Sequence, residues 1–126
     1  MYSVTIRDHM MIAHSLKSEA FGPAQQMHGA TFVVDAEFKS RDLDENNIVI
    51  DIDIATKVLQ KALQPLKYKN LDELEQFAGK LTTTEFLARY VHDVICREVK
   101  ESFQGSLKIT LGETHVAWAS YEGAIS

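Results

Sequence analysis

The chain has 126 residues, of which 45% are hydrophobic and 25% charged, and its formal net charge is -5 at pH 7. That length supports one domain, residues 1–126, with a hydrophobic core of its own. The acidic balance and the scattering of the 13 basic residues exclude a phosphate-backbone-binding surface. No apolar run approaches the roughly 18 residues a membrane span needs, and no basic-then-apolar leader opens the chain. The expectation is a cytoplasmic protein with a small-molecule partner, no nucleic acid and no membrane. Cys96 is the only cysteine, which rules out an intrachain disulfide framework.

From Tyr2 to Leu16, apolar residues fall on even positions (Val4, Ile6, Met10, Ile12), with Ser3, Thr5, Arg7 and His9 opposite. This is the period of a strand, although Asp8 and Met11 break it. A loop with Gly22 and Pro23 follows, and Gly29 to Lys39 alternates again through Ala30, Phe32, Val34, Ala36 and Phe38. The polar "SRDLDENN" reads as a connection. Ile54, Val58, Leu59, Ala62 and Leu66 then have helical spacing, with Asp51 or Asp53 as the cap and Pro65 near the end. A second helix begins near "TTTEFLA", with Leu87, Tyr90, Val91, Val94 and Ile95 on one face. Thr82 and Glu85 have capping-box spacing. After Gly105, "SLKITLGETHVAWASYEG" supplies two strands or one long bent one. The order ββααββ defines an α+β layer, one antiparallel sheet with both helices on one face.

Strand parity places His14, His28, Glu113 and His115 on the core side, near strand ends. Buried ionisable groups are costly without partners, so four on one parity point to a shared polar pocket. A bulge would reverse that parity. The alternative is hydrogen-bonded core histidines and a locally paired Glu113, with Thr82 as a helix cap and Cys96 as inert packing beside Ile95.

Five segments carry a resemblance to a known family: "MMIAHSL", "MHGATF", "PLKYKNLD", "LTTTEFLA" and "LGETHVAW". In this order the chain resembles the 6-pyruvoyl-tetrahydropterin and 6-carboxytetrahydropterin synthases. The resemblance implies the tunnelling fold, four antiparallel strands with two helices between the second and third, and assembly as a homo-oligomer, a trimer or hexamer. It also implies lyase chemistry on a reduced pterin or related heterocycle, with zinc held by three histidines.

Carried over by position, His14 and His28 fall on two metal positions and Glu113 on the carboxylate that grips the ring. Thr83, Thr84 and Glu85 fall on the substrate-binding segment, with Phe86 in place of its usual Asn. The third histidine position is Ala30, the catalytic Cys position is Ala24, and the Asp-His pair is Lys67 and Tyr68. The resemblance thus implies a divergent member, either catalytic by other means or a non-catalytic ring-binding or assembly module. His115, His9 and Glu113 are the candidates for a third metal ligand, His9 only if a bulge turns it inward. Lys67 and Tyr68 are either solvated loop side chains or, with His115, catalytic replacements: Lys67 as base or Schiff-base amine, Tyr68 as proton donor.

Overall fold

The computed structural model describes residues 1–125. Strand β1 (Tyr2–His14) pairs with β2 (His28–Ser40) in unbroken antiparallel register, from Tyr2 opposite Ser40 to His14 opposite His28. Helix α1 (Ile52–Leu63) and helix α2 (Thr84–Val99) come next, followed by β3 (Gly105–Thr114) and β4 (Ala117–Ile125). The sheet order is β1-β2-β3-β4, all antiparallel, and both helices cover one face. The expected α+β tunnelling-fold topology is therefore present, with the last segment forming two strands.

Alternation explains the layering. Ile6, Met10 and Ile12 from β1, Phe32, Val34, Ala36 and Phe38 from β2, and Leu107, Ile109 and Leu111 from β3 are all buried against the helices. Burying each such side chain contributes roughly 1.5–3 kcal/mol. The helices answer with Ala55, Leu59, Ala62 and Leu63 from α1 and Leu87, Ala88, Val91, Ile95 and Val99 from α2. Leu59, Ala62 and Leu66 are buried as the spacing suggested, Ala55 and Leu63 join them, and Ile54 is left 52% exposed.

Asp51 caps α1, accepting from the backbone N–H of Asp53 and Ile54. The cap of α2 is Thr83, whose hydroxyl accepts from Phe86 N at 3.1 Å, and not Thr82 as the capping-box spacing suggested. Such caps are worth about 1 kcal/mol each.

Two departures from simple alternation shape the site. Asp8 points inward because Lys67 meets it there, Nζ donating to Oδ2 at 3.0 Å. The segment after α1 then runs along the outer edge of β1: Tyr68 N donates to Met11 O at 2.7 Å and Ala13 N to Lys69 O at 3.0 Å. Tyr68 adopts φ 60° to make this turn. A bulge between Gly112 and Thr114 also shifts the β3–β4 register beside Glu113.

Candidate functional site

The site forms where the β1–β2 pair ends. Antiparallel register sets His14 directly opposite His28, and their rings meet edge to face with centroids 4.6 Å apart. His14 is buried at 3% exposure, and its Nδ1 shares a 2.9 Å hydrogen bond with the Oγ1 of Thr82, itself 1% exposed. His28 is half-buried, and its Nδ1 donates to the Gln26 carbonyl at 2.9 Å. That bond requires a proton on Nδ1 and leaves Nε2 without a hydrogen-bond partner among the described residues.

Burial, then the neighbouring His28, push the His14 imidazole below its ordinary value of 6.5, while Asp72, the Thr82 backbone and Glu113 pull the other way. His14 is therefore held neutral at pH 7 by desolvation, with two carboxylates near enough to stabilise its cation. Asp72 is itself anchored, accepting from both the hydroxyl and the backbone N–H of Ser15.

Glu113 lies at the end of β3, exposed, and accepts from Thr84 Oγ1 at 3.3 Å. Thr84 opens α2, so helix and strand together aim this carboxylate. A carboxylate so held has one oxygen free and a lone pair left on the other, so the two oxygens can accept from a pair of N–H donors.

The other expected residues are distributed elsewhere. Thr83 is committed to capping. Glu85 is exposed in the first turn of α2 and lines a separate cavity of 460 Å³ with Phe86, Arg89, Tyr90 and Tyr121. Lys67 is engaged by Asp8, and Tyr68 is 82% exposed on the β1 edge.

His115 does not share the core-side parity of Glu113, because β3 ends at Thr114 and strand alternation does not extend to it. It lies in the β3–β4 turn and lines a cleft of 400 Å³ on the helix-free face, with Arg7, Asp35 and Trp118. His9 is on that same face, since β1 has no bulge to turn it inward.

Thr82 and Asp72 are the site's unforeseen members. Thr82 stands beside a true cap in a run of three threonines, and Asp72 reaches Ser15 across 57 positions of chain. Neither contact leaves a local pattern.

These placements decide whether a resident catalytic zinc fits. Such a site needs three protein donors and an open position. Among the described residues, no group of three His, Cys, Asp or Glu side chains lies close enough to hold a metal. His14 and His28 offer two imidazoles, and Ala30, where the resemblance puts the third donor, has none to offer. The donor set does not fit a three-ligand zinc.

Cys96 gives no replacement for the missing thiol. It is on α2, its Sγ 3.6 Å from the ring nitrogens of buried His92, and burial, then Asp93, raise its pKa above the ordinary value. His92 itself ties α2 to β4, its Nε2 lying 3.2 Å from the Gly123 carbonyl oxygen.

The antiparallel sheet with two inserted helices, its polar groups gathered where β1, β2, β3 and the start of α2 converge, defines a protein of the tunnelling-fold class. The chain belongs to the 6-pyruvoyl tetrahydropterin synthase family, whose model matches residues 3–124. Solved structures agree on the fold. A *Caenorhabditis elegans* 6-pyruvoyl tetrahydropterin synthase superposes with TM-score 0.81 at 24% identity, covering 98% of this chain and 97% of that one. The *Plasmodium vivax* 6-pyruvoyl tetrahydropterin synthase gives TM-score 0.82 at 14% identity, covering 98% of each chain. The uncharacterized protein WS1659 of *Wolinella succinogenes* gives 0.74 at 12%, covering 95% of this chain and 97% of that one. A search of curated proteins returns no match. No helix among the described residues is long and apolar enough to cross a membrane.

Proposed function

We propose that this chain binds a reduced pterin, or a related heterocycle with an amino-pyrimidinone edge, through Glu113, and performs lyase-type proton transfer on it with the His14–His28 pair. The observation that carries the reading is the exposed Glu113 carboxylate, oriented by Thr84 beside two touching imidazoles. A carboxylate that accepts two parallel N–H bonds fixes a flat ring in one orientation. The neutral His14 imidazole then supplies a base, and Asp72 and Glu113 stabilise the cation formed when it takes up a proton.

Lys67, Tyr68 and His115 have no part in this mechanism, since they lie against Asp8, on the sheet edge and on the opposite face. Their placement, with Ala24 and Ala30 in the thiol and third-histidine positions, favours the second reading: a ring-binding or assembly module without turnover. Either reading is compatible with a homo-oligomer, a trimer or hexamer. The outer edge of β4 and the Tyr2–Arg7 half of the β1 edge have no backbone pairing among the described residues, and joining such edges removes a sheet's exposed hydrogen-bonding groups.

The test is calorimetric titration with dihydroneopterin. Micromolar binding is expected, abolished in Glu113→Ala and retained in His14→Gln. No heat with any reduced pterin would overturn the ring-binding reading. Turnover of dihydroneopterin triphosphate that is lost in His14→Gln separates the enzyme from the module.

A further inference from the structure

We infer that the His14–His28 pair is a two-donor half-site that carries no resident metal, and that Ala30 is the single position separating it from a complete metal centre. This rests on the donor geometry and is independent of the ring-binding reading.

Both imidazoles are already held in place from one side. Each Nδ1 is engaged, by Thr82 Oγ1 and by the Gln26 carbonyl, and neither Nε2 has a hydrogen-bond partner among the described residues. Bonds at the far nitrogen of this kind orient a ligating imidazole. What is missing is a third donor. Ala30 lies two residues from His28 on the same face of β2 and opposite Ile12 on β1, so its Cβ is next to His28 and diagonal to His14. Diagonal cross-strand neighbours are within reach of long side chains.

No other residue fills this role. Glu113 is directed to Thr84 and forms no three-donor group with the histidines, while His9 and His115 are on the other face of the sheet. Ala30 is half-buried, so an imidazole added there has an open side into which to extend. The two histidines are therefore left to hydrogen-bond to a ligand, and one substitution at Ala30 would supply the third donor.

The test uses the full chain without a histidine tag. Zinc content is measured by elemental analysis after purification without added metal, and zinc affinity by competition with a chromophoric chelator. The wild type is expected to hold far less than one equivalent. Ala30→His is expected to hold a full equivalent with affinity on the order of 100-fold tighter, the share of one donor in a four-donor site. Cobalt in Ala30→His should give the visible absorption of a tetrahedral ion, lost again in Ala30→His/His14→Ala.

A wild-type protein that keeps a full equivalent of zinc through chelator dialysis overturns the proposal. So does a folded Ala30→His that binds no tighter than wild type. Should the histidine variant fail to fold by near-ultraviolet circular dichroism, Ala30→Cys decides by the same criteria.

Discussion

Lys67 stands where the family resemblance puts part of a catalytic pair, yet its geometry is that of a structural ion pair, and a double-mutant cycle with Asp8 tells the two apart. The ammonium is 3.0 Å from Asp8 Oδ2, and the two side chains are 23% and 21% exposed. At that separation and an effective dielectric near 20, the gross attraction is about 5 kcal/mol. Desolvation of both ions and the ordering of a long lysine offset most of it. The net coupling should fall at about 1–2 kcal/mol, above the median of an exposed pair and below the loss seen on breaking a fully buried one. Lys67→Met keeps the aliphatic stem but strands an inward-facing carboxylate, so it should cost about 2 kcal/mol. Asp8→Asn should cost about 1, and the double variant less than the sum of the two. Urea denaturation gives all three values, with unchanged slopes expected if only the native state is affected. Ring binding by Lys67→Met should match wild type within about twofold, far less than a tenfold, 1.4 kcal/mol change. Additive single costs, or a Lys67→Met that is fully stable but no longer binds the ring, would refute the structural assignment and return Lys67 to the site.

Thr82→Val should destabilise by about 1–3 kcal/mol, because it leaves the Nδ1 of a histidine 3% exposed without its partner. Chemical denaturation checks this. Because His14 is held below its ordinary 6.5, the unfolded chain binds more protons than the folded one as pH falls through that range. Its contribution is fully present above the unfolded value and is lost as pH drops through the folded one. The thermal midpoint should therefore decline on acidification from neutral pH, less steeply in His14→Gln. Gly105→Ala should cost about 3 kcal/mol or more, since φ is 157° and a Cβ there would lie 2.1 Å from the Lys39 carbonyl oxygen. Gly112→Ala, with no atom nearer than 3.7 Å, is the control expected to stay within about 1 kcal/mol in the same denaturation experiment.

The fold was legible because its strands alternate cleanly: Phe32, Val34, Ala36 and Phe38 needed no tertiary information to be assigned to one face. The same reasoning set His14 and His28 on the core side, where antiparallel register makes them neighbours. It failed at His115 for a definite reason. Strand β3 ends at Thr114 and the chain turns through His115 and Val116, and nothing in "LGETHVAW" marks where the alternation stops. Asp8 looked like noise in the β1 pattern and is instead the partner of a lysine 59 positions away. His92 escaped notice because one polar residue on an apolar helical stripe carries no signal of the carbonyl it will meet. Thr82 and Thr83 have the same side chain, so only the backbone decides which caps α2 and which supports His14.

Three of the replaced family positions share one property that bears on how the remaining ones should be read. They are taken up by the scaffold: the Ala24 carbonyl accepts from Leu16 N at 2.9 Å, Ala30 packs against the core, and Lys67 pairs with Asp8. Among the described residues, no buried side-chain nitrogen or oxygen is left without a hydrogen-bond partner, so the interior places no unmet demand on the site. Glu113 is the exception in kind. It is exposed, its only side-chain hydrogen bond among the described residues is a 3.3 Å contact from Thr84, and it is in no ion pair there. Stability gains little from such a contact, because an exposed hydrogen bond exchanges readily with water. The Nε2 atoms of His14 and His28 likewise have no hydrogen-bond partner among the described residues. This corner of the molecule therefore holds hydrogen-bonding capacity that the fold does not use. A ring with paired N–H donors would meet that capacity, and a metal that needs three protein donors would not.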